Sequence, residues 1–447
     1  MVPDSSLLIT DVRLVNEGSI TETDVFVRGG RIEAIAGDLA SRGADTVIDG
    51  AGKYLLPGLI DDQVHFREPG LTHKADLAHE SRAAVAGGVT SFMDMPNVKP
   101  PTLTEEALEE RCALAARAAV ANYAFYLGAS NDNLDAIRRL APGRACGVKV
   151  FMGSSTGSML VDDRDVLAGI FGDAPTLVAV HCEDDPMIRA AEQAATERYG
   201  EDIPFAEHPN IRSAEACLAS STLAVELARE HGTRLHVLHL TTARELDLFT
   251  PGPIDGKRIT AEVCAHHLWF TDADYAGRGS LIKCNPAIKS AADRDALREA
   301  LADDRLDVVA TDHAPHTMAE KLDPYLRAPS GLPLVQFLLP MLHALHVEGV
   351  ITLEQLVQKA CHNPALCFGV TDRGFVREGY WADLVLLDPE TSTPVARDGI
   401  LSKCGWSPLE GETFPGSVDT TIVSGQVAWR GGRIIESTRG RRLEFLV

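Results

Sequence analysis

The stretch LIDDQVHFREPG, Leu59–Gly70, alternates in the manner of a strand, runs into a Pro-Gly turn and carries Gln63, His65 and Arg67 at every second position. A period of two puts the three side chains on one face. An imidazole suits a divalent metal and a guanidinium suits a carboxylate, whereas a glutamine is a poorer zinc ligand than a second histidine. Groups of the same kind fall late in other apolar runs: Asn97 after TSFMDM, Lys149 in GVKVFM, His181 in LVAVHCE, His239 in LHVLHL and Asp312 in VVATDHAP. As a set they are metal ligands and acid–base groups, the equipment of metal-assisted hydrolysis.

Each residue alone has a blander reading. A strand histidine can be a hydrogen-bonded structural residue, Asp312 can cap the next helix, and Arg67 can pair with Glu68. Lys149 can pair with a nearby carboxylate. Beside divalent cations, however, a protonated lysine is repelled and its pKa should fall. The neutral amine then reacts with carbon dioxide, giving a carbamate whose two oxygens can bridge two metals.

The elements that must position these groups follow from the apolar runs. GLIDDQVHF, TSFMDM, NYAFYLGA, GVKVFM, LVAVHCE, LHVLHL, ITAEVCAHHLWF and VVATDHAP alternate with helix-like segments such as TEEALEERCALAARAAV and SAADRDALREALADD. Strand and helix alternating eight times is the sequence form of an α/β fold, a TIM-like (β/α)8 barrel over 57–374, whose strand ends point to one mouth. Residues 1–56 and 375–447 read as short strands and Gly-rich turns. Their echo, FVRGGRIEAIA against VAWRGGRIIES, suggests one small composite β-sandwich built from both termini.

Composition narrows the partners. With 42 Lys and Arg against 64 Asp and Glu in 447 residues, the net charge of −22 repels polyphosphate, so no nucleic acid is expected. Nine scattered cysteines with no C-x-x-C pair predict reduced thiols and a cytoplasmic protein. No apolar run has the length of a membrane span. A small-molecule substrate and a symmetric homodimer are the remaining expectations.

The motifs DDQVHFREPG, DMPN, GVKVFMGSSTG, VHCED, LHVLHLTT, KCNPAIK and VATDHAPH together resemble the cyclic amidohydrolases of the metal-dependent amidohydrolase superfamily, most closely the dihydroorotases. The resemblance spans the barrel and the split terminal domain. It implies one or two zinc ions per chain, with His65 and Asp312 at the more buried metal, carboxylated Lys149 bridging, and His181 and His239 at the second. Arg67, Asn97 and His316 would hold the substrate carboxylate, Asn285 would contact the ring, and Asp312 would shuttle the proton. The implied reaction is reversible hydrolysis of L-dihydroorotate to N-carbamoyl-L-aspartate in pyrimidine biosynthesis. The family usually has histidine where Gln63 stands, which leaves one metal or two open. The rival readings are an allantoinase or hydantoinase, in which Arg67 would be left unpaired, and a silent subunit supporting a transcarbamoylase.

Four further features have bland expectations. Alternation sends only one of His266 and His267 inward, in a supporting role, and His236 faces away from His239. GSSTGS, Gly153 to Ser158, reads as an active-site loop. His316–Gln336 reads as a long βα loop without helix before Pro333, offering backbone groups near Gly331 and Leu332.

Overall fold

In the computed structural model, which describes residues 5–153 and 159–446, the eight apolar runs form eight parallel strands. They are β1 (Leu59–Val64), β2 (Val89–Asp94), β3 (Asn122–Phe125, resumed at Leu127–Gly128), β4 (Val148–Phe151), β5 (Val178–His181), β6 (Leu235–Val237), β7 (Ile259–Cys264) and β8 (Val308–Ala310). Parallel strands covered by helices are buried on both faces, which is why these runs are apolar without interruption. β3 breaks at Tyr126, its first part pairing with β2 and its second with β4. The ring closes where Val64 bridges to His313 just beyond β8, and the His65 N–H donates to the His313 carbonyl at 2.7 Å.

Helices follow the strands with the caps their sequences provide. Glu105–Ala118 starts at Thr104, whose hydroxyl accepts the Ala107 N–H, and Ala291–Ala302 starts at Ser290 in the same way. The expected helix-free stretch before Pro333 needs correction. Thr317 and Glu320 form a capping box that nucleates one turn, Met318–Lys321, so the polar residues that argued against a helix are its cap.

Strands from both termini join in one nine-stranded sheet. Its seam is the antiparallel pairing of Tyr54–Pro57 with Leu384–Leu387. Leu55, Leu384 and Leu386 face a core belonging to the terminal strands, while Leu56, Val385 and Leu387 face the barrel core, as a period of two requires. The echoed GG dipeptides are both two-residue hairpin turns. Gly29, Gly30, Gly431 and Gly432 all have positive φ, and they pair Arg28 with Arg31 and Arg430 with Arg433. A type I′ turn demands that geometry at both central positions. All nine cysteines are free, eight of them buried, and no helix among the described residues is long and apolar enough to cross a membrane.

The barrel mouth is braced from below by a buried ion pair between Asp94, at the end of β2, and Arg111 of the next helix. Asp94 also accepts the Phe66 N–H, and Arg111 donates to the Met95 carbonyl. Removing one partner strands a charge in the core. Arg111→Met is therefore expected to lower the free energy of urea unfolding by about 3–5 kcal/mol, read as a fall in midpoint at constant m.

Candidate active site

One cavity of about 270 Å³ at the strand ends is lined by Gln63, His65, Arg67, Asn97, Lys149, His181, His239, Asn285, Asp312 and His316, with Phe151, Ala314 and Pro329, Ser330 and Gly331 completing the wall. Every residue singled out from the sequence as a candidate ligand, base or substrate contact meets there.

Hydrogen bonds set how the imidazoles face the cavity. His181 Nε2 donates to Glu183 Oε2 at 2.9 Å, so its Nδ1 carries the lone pair that faces His239 Nε2 at 2.9 Å. Burial pushes both imidazoles down, His239 well below its usual range with His181 and Lys149 adding to the effect. With His181 Nδ1 the acceptor, His239 Nε2–H donates to it and leaves His239 Nδ1 buried without a partner. Two neutral imidazoles side by side, with Lys149 and Asp312 on the same cavity wall, are a donor set that fits a divalent metal. On the other side His65 Nδ1 stands 2.7 Å from Asn97 Oδ1 and must donate to it, which turns Nε2 toward Asp312 Oδ1 at 3.1 Å. Gln63 donates its amide to the same Asp312 oxygen at 3.2 Å, while its carbonyl faces the Cys264 thiol. Asn97 thus orients His65 in addition to lining the cavity.

The ionisable groups are tuned by burial and charge. Lys149 is wholly buried, which pushes its amine down to about 8 against the pull of Asp312 and Glu262. Burial works against ionisation of Asp312, but the hydrogen bond and charge of His65 hold its carboxyl below the usual range. Arg67 donates to the Pro315 carbonyl, lies 3.1 Å from His316 Nε2 and has no carboxylate within ion-pair distance among the described residues. Glu68, its suspected partner, accepts the Leu77 N–H instead. His316 is pushed well down by burial and by Arg67 and Lys74. It accepts from Lys74 Nζ at Nδ1 and donates to the Ser330 carbonyl from Nε2. Asn285 Oδ1 is buried and has no partner, an acceptor open to a ligand N–H.

Backbone strain sits where these groups do. Arg67, His239 and Asp312 have φ of 68°, 42° and 46°, in a left-handed region that side chains other than glycine seldom occupy. Gly331, at φ 144°, approaches Ala314 so closely that a Cβ would lie 2.4 Å from its carbonyl oxygen. The loop carrying it is pinned by buried Lys321, which donates to the carbonyls of Lys283, Pro329 and Gly331.

Some supporting residues escaped the sequence reading. Glu183, bonded to His181 and paired with Arg212, sits two positions beyond it on the same face, a signal that period two could have supplied. His313 accepts the Leu334 and Val335 N–H groups and donates to Glu80 at 2.9 Å, fixing the chain beyond β8. The alternation argument for His266 and His267 fails because β7 ends at Cys264. A tight turn over Ala265–His267 follows, and both rings are buried 4.1 Å apart. His236 is absent from the cavity wall, as its offset from His239 required. From residue 154 onward the expected loop Gly153 to Ser158 lies outside the described residues.

Burial pushes the His266 imidazole down to about 4, whereas an unfolded histidine titrates near ~6.5. Below that pH the unfolded chain binds the extra proton, so this residue's contribution to stability falls as pH falls. Between pH 7.5 and 5 the metal-free protein should lose about 2 kcal/mol more stability than its His266→Leu variant, measured by urea unfolding at each pH.

With that geometry in place, the comparisons with known proteins are direct. A model of the amidohydrolase family matches residues 54–428. A dihydroorotase of Halobacterium salinarum is 36% identical over 92% of this chain and 94% of its own. An allantoinase of Bacillus velezensis is 30% identical over 95% of this chain and 94% of its own. Among solved structures, an L-hydantoinase (dihydropyrimidinase) from Arthrobacter aurescens superposes with a TM-score of 0.93 at 28% identity, covering 98% of this chain and all of that one. The chain belongs to the amidohydrolase family and is an enzyme of its cyclic amide hydrolase type.

Proposed function

We propose that this enzyme is a zinc-dependent dihydroorotase, catalysing reversible hydrolysis of L-dihydroorotate to N-carbamoyl-L-aspartate. Arg67 carries the choice of substrate. A buried guanidinium with no carboxylate partner, next to a metal-type ligand set, is matched by a ring that bears an exocyclic carboxylate. Hydantoins, dihydropyrimidines and allantoin lack that group and would leave Arg67 unpaired, at a cost of about 1–3 kcal/mol or more.

The roles follow from position. His65 and Asp312, with Gln63 as a weak third, would hold one ion, His181 and His239 the other, and carboxylated Lys149 would lie between. Metal there supplies Lewis acidity for the ring carbonyl and a water nucleophile near neutral pH. Arg67, Asn97 and His316 orient the substrate carboxylate, and the free Asn285 oxygen accepts from a ring N–H. Asp312, ionised at neutral pH, takes a proton from the attacking water and passes it to the ring nitrogen as the C–N bond breaks. The retained Lys149, His181, His239 and Asp312 favour an active enzyme over a silent subunit.

The deciding measurement is zinc per chain together with turnover of L-dihydroorotate, hydantoin and allantoin by wild type and Gln63→His. Turnover of L-dihydroorotate alone, with about one more zinc per chain in the variant than in wild type, is expected. Preference for either other ring refutes the assignment. Arg67→Met should lower kcat/KM for L-dihydroorotate roughly 10- to 100-fold, the value of a charge-assisted hydrogen bond. Protein equilibrated with 13C-bicarbonate should show a carbamate resonance that Lys149→Met abolishes.

A further inference from the structure

Asp62, His236 and Glu262 lie just below the cavity floor on β1, β6 and β7, and none has any exposed surface. His236 Nε2 stands 3.3 Å from Asp62 Oδ2 and 3.6 Å from Glu262 Oε2. These three atoms, and Asp62 Oδ1, lack a hydrogen-bond partner although all are buried.

The other ends of the two longer side chains are engaged. Glu262 Oε1 accepts the His239 N–H at 3.0 Å, and His236 Nδ1 lies 2.7 Å from Thr260 Oγ1. Thr260 Oγ1 also lies 3.2 Å from the Leu235 carbonyl and Cys367 Sγ 3.6 Å from His236 Nδ1; with the Thr260 proton on that carbonyl, Nδ1 is the donor and Nε2 is free to ligate. That is the tautomer of a metal-bound histidine whose second nitrogen is anchored.

Against the pull of burial, Cys367 and the two carboxylates hold the His236 imidazole well above its usual range, so without an ion Nε2 carries a proton. Such a proton would draw an oxygen to the roughly 2.7–2.9 Å of a charge-assisted bond. Ligand atoms sharing a tetrahedral ion at about 2.0–2.2 Å stand roughly 3.3–3.6 Å apart. The observed spacing matches the ion. We propose that Asp62, His236 and Glu262 hold a structural divalent metal ion of the zinc class, separate from the hydrolytic site and enclosed as the barrel closes. Two carboxylates neutralise it, and the burial leaves no position open to substrate. The ion ties three strands together directly beneath their site residues, and through Glu262 it holds the strained peptide of His239.

Crystals of the full-length protein purified with zinc, measured on both sides of the zinc absorption edge, test this directly. An anomalous peak between the three side chains is expected. Its absence, with or without peaks in the cavity above, overturns the proposal and indicates a buried imidazolium–carboxylate triad. A peak here with none in the cavity supports this site while counting against the dihydroorotase reading. Asp62→Leu should contain one zinc fewer per chain than wild type, and an unchanged content refutes the site. Lys149→Met should lose metal from the cavity and keep the peak below. The wild-type crystal decides the matter even where a variant fails to fold.

Discussion

Imidazoles held at hydrogen-bond distance from one another and from a carboxylate, out of reach of water, govern the architecture of this barrel mouth: His181 lies 2.9 Å from His239 and His65 lies 3.1 Å from Asp312. These contacts persist because each partner is clamped from behind: His181 by Glu183 and Arg212, His65 by Asn97, and the chain after Asp312 by His313 and Glu80. The positive φ values at His239 and Asp312 belong to the same constraint. Strain of that kind survives only when the surroundings over-determine it, and here eight strands, buried ion pairs and a pinned loop do so.

Charge is distributed to the same end. A surface with a net charge of −22 offers nothing to an anion, so attraction for a carboxylate has to be local and shielded. Arg67 meets that requirement from a desolvated position, where burial lowers its pKa only to about 10 and leaves it cationic. Lys74, Lys321 and Lys283 lie around the same loop. The two that are buried, Lys283 and Lys321, spend their protons on backbone carbonyls of that loop. The wall that faces Arg67 is therefore rigid without carrying carboxylates that would compete for it.

Much of this was legible before any coordinates. Strand identity followed from uninterrupted apolar runs, the matched termini from the paired Gly-Gly hairpins, and the cavity residues from polar groups late in strands. What escaped detection depends on three-dimensional detail that periodicity does not encode. The irregular pairing of β1 between Asp61 and Val64 lets successive residues, Asp62 and Gln63, both reach the barrel interior. The turn after Cys264 buries two adjacent histidines where a strand would bury one. The Met318–Lys321 turn rests on a capping box rather than on an apolar stripe. In each case local backbone geometry overrides the regular period.

Gln63 gains meaning in this setting. An imidazole there would present a lone pair, whereas the amide presents hydrogens, and it gives one to the Asp312 oxygen that His65 also approaches. Two donors on one carboxylate oxygen favour its anion and fix its direction. They also compete with a cation for that oxygen. Gln63 thus helps orient Asp312, the base of the proposed reaction. Asp62, the neighbour of Gln63 in sequence, faces His236, which Glu262 also approaches. In the proposed arrangement the Asp-Gln pair divides its side chains between the cavity and the interior, and ties the proposed reaction centre to the barrel beneath it.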